Sequence, residues 1–162
     1  MFRTLGKGPG IFVFACDPLK GLLAVLGARA LLGGEWLPAA SGLVPATASI
    51  VAGIAAILGH NFTPWLGFKG GKGIATSAGV LLGVLPLAMA AGLAVWALLL
   101  FTTRYVSVAS IGAALVLPLV TGLLVRFRGA DVSLLGFSLA VAALAVWRHR
   151  SNLARLRAGA CL

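Results

Sequence analysis

Within Gly67-Phe68-Lys69-Gly70-Gly71-Lys72-Gly73, two lysines stand among four glycines. Glycine lets backbone N–H groups converge on one point and approach a ligand closely, and lysine adds charge, so this pattern suits a bound phosphate. It is not a nucleotide P-loop: neither lysine is followed by the hydroxyl residue that would hold magnesium, and no strand-like run precedes it. A flexible basic turn between two membrane helices is the other reading, and from the residues alone both stand.

Other candidates for chemistry are few. His60, in Gly59-His60-Asn61-Phe62, follows an apolar run and reads either as an interfacial hydrogen-bonding group or as part of a site. In His149-Arg150-Ser151-Asn152, a continuous helix would put His149 and Asn152 on one face, where an amide can orient an imidazole or a substrate oxygen. A basic juxtamembrane tail is the plainer alternative. Ser107 and Ser110 also lie three apart, and serines in membrane helices commonly bond backbone carbonyls. No Ser-His-Asp set can be drawn, because no acid lies near either histidine in sequence.

The acidic residues are only Asp17, Glu35 and Asp131, which argues against paired-carboxylate hydrolysis. Asp17 and Lys20 share a helical face and read as an ion pair near the membrane surface. Cys16 and Cys161 make neither a disulfide framework nor a metal-ligand set, so no metal site is expected. Trp36, Trp65, Trp96 and Trp147 require no more than an anchoring role at interfaces.

The elements that must position these residues are membrane helices. With 60% hydrophobic residues and a mean hydropathy of +1.08, the chain lies far outside the range of soluble domains. Ile11 to Leu32, Gly42 to Leu58, Ile74 to Phe101, Val106 to Val125 and Val132 to Trp147 are predominantly apolar on all sides. The expected fold is all-α, a multi-pass membrane protein with no removable signal peptide. A net charge of +10 invites a nucleic-acid reading, yet the basic residues sit in short loops and at the C-terminus, as positive-inside topology requires.

Five simple crossings would put the Lys69 loop and the C-terminal arginines on opposite sides. A reversal near Gly83-Val84-Leu85-Pro86, splitting Ile74 to Phe101 into two short or re-entrant spans, removes the conflict. Arg3, Lys7, Lys69, Lys72, Arg104, Arg148, Arg150, Arg155 and Arg157 then lie inside, with Arg126 and Arg128 outside. About six spans result, with the candidate residues expected on one face.

In their order along the chain, Arg3-Thr4-Leu5-Gly6-Lys7, Asp17-Pro18-Leu19-Lys20-Gly21, Gly59-His60-Asn61-Phe62, Phe68 to Thr76, Arg104-Tyr105-Val106-Ser107 with Ser110, and His149-Arg150-Ser151-Asn152 with Arg155-Leu156 closely resemble the bacterial acyl-phosphate:glycerol-3-phosphate acyltransferases, the PlsY family. The resemblance covers nearly the whole chain. It implies a single membrane-embedded domain over residues 1–162 in the bacterial inner (cytoplasmic) membrane, its site facing the cytoplasm. The implied reaction moves an acyl group from acyl phosphate to the primary hydroxyl of glycerol 3-phosphate, giving lysophosphatidic acid and phosphate without a cofactor. His149, Asn152 and Lys72 match catalytic positions. Arg3, His60, Lys69, Gly70, Gly71, Gly73, Ser107 and Ser110 match substrate-binding positions. The partners are the two substrates and the lipid bilayer, not nucleic acid.

The family pattern also has a first transmembrane helix and a glycine-rich serine/asparagine motif before the position of Arg3, making seven helices in all. Beginning at Met1, this chain is expected to lack that helix and most of that motif, and Gly159-Ala160-Cys161-Leu162 stands where members often carry an acid. A shortened inactive form and a transporter for a phosphate-bearing anion are the alternatives. No internal repeat supports the transporter.

Overall fold

The computed structural model describes residues 7–33, 45–68 and 70–157, and among them only helices, turns and short connections occur. Helices α1 (Lys7–Gly33), α2 (Pro45–Asn61) and α3 (Ile74–Val84) belong to one compact unit, Met1–Val84. Helices α4 (Pro86–Thr103), α5 (Val106–Arg128), α6 (Val132–Arg148) and α7 (Arg150–Arg157) belong to a second, Leu85–Leu162. The stretches Gly8–Leu31, Thr47–Leu66, Pro86–Thr103 and Val106–Arg128 are long and apolar enough to cross a membrane, whereas α3 and α6 are shorter apolar helices of 11 and 17 residues. Phe12, Phe101, Leu119 and Phe127 are all exposed, as side chains facing lipid are.

The expected break in Ile74 to Phe101 is present. Leu85 sits between the helices with φ −137° and ψ 64°, and Pro86 opens α4. A residue before proline is pushed out of the helical region, and proline lacks the N–H that a first helical position leaves unbonded anyway. The two halves are nevertheless unequal: the first has 11 residues, whereas the second has 18 and, contrary to the expectation of two short spans, is long and apolar enough to cross a membrane. Pro18 and Pro118 lie inside α1 and α5 without ending them. The α5 helix outruns its apolar segment to Arg128, because Gly129 (φ 64°) supplies the left-handed C-cap and Arg126 and Arg128 suit the negative end of the helix dipole.

In the first unit, α1 packs on both α2 and α3. The approach of α1 to α3 is close because the contact residues are small: a β-carbon on Gly79 would collide with the Pro18 carbonyl, and one on Gly21 with that of Thr76. Such small-residue seams let membrane helices gain van der Waals contact where the hydrophobic effect gives none. Arg29 turns its Nε to the buried Ser49 hydroxyl of α2 at 3.1 Å, so this cation within a span has a polar partner. In the second unit α5 packs against α4 and α6, around Ala109, Ala114 and Leu117.

Asp131 caps α6 by accepting from the backbone N–H of Ser133 at 2.7 Å. The Ser133 backbone bond, followed by its side-chain bond, holds this exposed carboxyl below its ordinary value. A carboxyl depressed by folding stabilises the fold above the usual carboxylate range, and the contribution disappears as pH falls through the lowered value. Asp131→Ala is therefore expected to lower the melting temperature slightly at neutral pH. That difference from the parent protein should vanish in strong acid, as a thermal-melt series across pH would show.

Candidate functional site

Candidate residues collect in two polar clusters, one in each unit. The first is built on the end of α2, where His60 and Asn61 form a template for the glycine loop. The Gly70 N–H donates to the Asn61 carbonyl at 3.2 Å, and a β-carbon on Gly70 would strike the His60 carbonyl. A β-carbon on Gly71 would strike the His60 imidazole at its Nε2 edge, and one on Gly73 would strike the Asn61 side-chain amide. Gly73 also has φ 76°, a conformation that L side chains rarely adopt, so three of the loop's glycines are required by contact and one of them by backbone conformation as well.

The loop runs directly into α3, with the Ser77 N–H bonded to the Gly73 carbonyl at 2.7 Å. Helix N-terminal N–H groups and the helix dipole favour an anion there, and α3 carries no acidic residue in its first turn. Lys72 is exposed on this loop. Phe68 precedes it with φ 61°, a strained value for a non-glycine residue. Thr76 follows in the first turn of α3, and its Oγ1 is buried without a hydrogen-bond partner. Sequence reasoning assigned Thr76 no role.

His60 is also held from the other side. Lys20 Nζ lies 2.7 Å from His60 Nδ1 and 2.6 Å from Asp17 Oδ1, while His60 Nδ1 and Asp17 Oδ1 are 3.5 Å apart. The expected Asp17–Lys20 pair is thus present, but it is a three-membered set reaching across to α2.

The second cluster lies where α5 begins and α6 gives way to α7. Asn152 Nδ2 donates to Ser107 Oγ at 2.5 Å, and Arg155 donates to Asn152 Oδ1 at 2.8 Å. This arrangement fixes the amide orientation, since a flipped amide would set its NH2 against a guanidinium. Arg104, three residues before Ser107, ends α4 in the left-handed region at φ 60°. Among the described residues, Phe68 and Arg104 are the non-glycine residues with positive φ, and each borders one of the clusters. Ser110 lies deeper: it is buried and accepts from the Trp96 indole at 3.3 Å. Trp96 therefore does more than anchor the protein at an interface, and Ser107 and Ser110 both accept from side chains.

His149 corrects one expectation. The helix does not continue through it: α6 stops at Arg148, His149 takes φ −96° and ψ 0°, and α7 begins at Arg150. The His149 carbonyl accepts from the N–H groups of Asn152 and Leu153 at 2.9 and 3.0 Å, so the residue caps the new helix. Asn152 consequently does not orient the imidazole; its amide goes to Ser107 and Arg155. The buried His149 ring is oriented instead by the Ala145 carbonyl, 2.9 Å from Nδ1. A carbonyl only accepts, so Nδ1 carries the proton and, in the neutral ring, Nε2 is the accepting nitrogen. Arg3 and Lys69 lie outside the described residues.

Helical throughout the described residues and carrying several apolar spans, the chain is a multi-pass membrane protein. A family model described as glycerol-3-phosphate acyltransferase matches residues 1–159, and the chain belongs to that family. The glycerol-3-phosphate acyltransferase of Geotalea daltonii is 44% identical over 159 residues, covering 98% of this chain and 74% of the relative. That of Geobacter sulfurreducens is 42% identical over 160 residues, with the same coverage. The fold is similar to the crystal structure of PlsY (YgiH), an integral membrane glycerol 3-phosphate acyltransferase, in its glycerol 3-phosphate form. The TM-score is 0.75 and the identity 34%, over 98% of this chain and 72% of that one.

Proposed function

We propose that this chain transfers an acyl group from acyl phosphate to the primary hydroxyl of glycerol 3-phosphate, giving lysophosphatidic acid and inorganic phosphate for phospholipid synthesis. The observation that carries the chemistry is the His149 ring, held by Ala145 with Nε2 as its acceptor. Nε2 takes the hydrogen bond of the primary hydroxyl and aims its oxygen at the acyl carbon. As the new ester C–O bond forms, the bond from acyl carbon to phosphate oxygen breaks and its electron pair leaves with phosphate. The hydroxyl proton ends on that phosphate, so the reaction balances without a cofactor.

The acyl phosphate is already activated, and a covalent enzyme intermediate is unnecessary. The protein's work is to position the reactants and stabilise charge. Lys72 and Lys69, with the N–H groups around Gly71 and Gly73, bind the donor phosphate and offset the charge that grows on it, while Gly70, its N–H committed to the Asn61 carbonyl, shapes the loop. His60 supports that loop. Asn152, Ser107 and Arg155 form a preset hydrogen-bonding group for the acceptor, Ser110 supports the same helix, and Arg3 clamps a phosphate as guanidinium does well. Each assignment rests on the chemistry of its own cluster. The bacterial inner membrane, with the site on the cytoplasmic side, is the setting that the lysine and arginine distribution supports.

Proteoliposomes given labelled glycerol 3-phosphate and acyl phosphate provide the test. The label should appear as lysophosphatidic acid in the lipid fraction. Recovery of the label inside the vesicles as unchanged glycerol 3-phosphate would instead identify a transporter.

A further inference from the structure

The set Asp17, Lys20 and His60 is not the sole link between α1 and α2, which also pack together elsewhere and are joined by the Arg29–Ser49 bond. Its geometry has a chemical consequence. A lysine ammonium only donates, so with Lys20 Nζ at 2.7 Å the Nδ1 of His60 must accept, and the ring proton is placed on Nε2. Asp17, at 2.6 Å from the same ammonium, neutralises it and fixes its position. The Nε2 edge of the ring faces Gly71 in the glycine loop. His60 is thereby set as a donor toward the loop, the opposite sense to His149, whose Nε2 accepts.

We propose that Asp17 and Lys20 are positioning residues for acyl transfer, acting through His60 to fix the shape of the Gly70-Gly71-Lys72 loop and hence its hold on the donor phosphate. The inference rests on the proposed role of that loop. Asp17 is half-shielded and Lys20 more exposed, with side chains at 19% and 46% exposure, so the pair is accessible to substitution without opening a core cavity. Losing Lys20 would free the His60 ring to exchange tautomers and to tilt against Gly71. Misplacement of this kind, remote from the reacting atoms, can cost about a hundredfold.

The test is a double-mutant cycle on the full chain in detergent, read as KM for acyl phosphate and kcat separately. Lys20→Met or Asp17→Asn is expected to raise that KM about 10- to 100-fold, with a smaller change in kcat. Glutamine at position 60 presents an N–H near the place of Nε2 whatever Nδ1 would have met. In a His60→Gln background, the same substitutions should therefore add little further loss. Equal losses in both backgrounds, or a fall in folded protein with KM unchanged, would overturn the positioning role while leaving the loop's function intact. Full activity and unchanged KM in His60→Ala and Lys72→Ala would remove the loop's role itself, and the inference with it.

Discussion

Replacing His149 with alanine is expected to lower kcat by at least about a hundredfold while the protein remains folded. The ring is buried, and its Nδ1 is committed to the Ala145 carbonyl, so the variant loses the acceptor at Nε2 together with the small volume of one imidazole. The backbone bonds that start α7 come from the His149 carbonyl and survive the change, which keeps Asn152 close to Ser107. His149→Gln restores a polar group without a basic nitrogen, and it should recover substrate binding more than turnover. Steady-state kinetics with both substrates varied, alongside thermal melting of each variant, would check this. Wild-type kcat in His149→Ala would show that the hydroxyl is oriented by other groups.

Lys72→Ala carries the second large effect. Lys72 is exposed on a loop whose shape is set by His60, Asn61 and the glycines, so removing its side chain leaves the loop's framework in place. In the proposed reaction, what is lost is positive charge where phosphate leaves. Removing one preorganised donor of that kind typically costs about 10²- to 10³-fold in kcat. Melting temperature should be nearly unchanged, because an exposed lysine contributes little packing. Lys72→Arg keeps the charge but changes the geometry, and it should recover only part of the rate. A variant in which KM for glycerol 3-phosphate rose while kcat held steady would place Lys72 on the acceptor instead.

Much of the architecture was legible in the sequence because apolar runs of membrane length leave few choices. The break before Pro86 was legible too, from proline's effect on the preceding residue. The same signal at Pro18 and Pro118 leads to no break. Whether a proline ends a membrane helix depends on how neighbouring groups satisfy the freed carbonyl, and that is tertiary information. The candidate residues were legible by type, but several of their partners were not. Asp17 and Lys20 pair at a helical spacing, whereas His60 joins them from 40 residues further on. Asn152 meets Ser107 across 45 residues. The spacing of His149 and Asn152 misled because it assumed a continuous helix, while the chain changes helix at His149 itself. From composition the glycine loop reads as either a phosphate holder or a flexible basic turn; its packing on His60 and Asn61 supplies a reason for each of three glycines that composition could not give.

Acyl transfer to glycerol 3-phosphate can be followed in detergent as release of inorganic phosphate by the purified chain. Rapid release is expected only when acyl phosphate and glycerol 3-phosphate are both present, with one lysophosphatidic acid formed for each phosphate. Phosphate release that is unchanged by omitting glycerol 3-phosphate, or no release with both substrates supplied to folded protein, would contradict it.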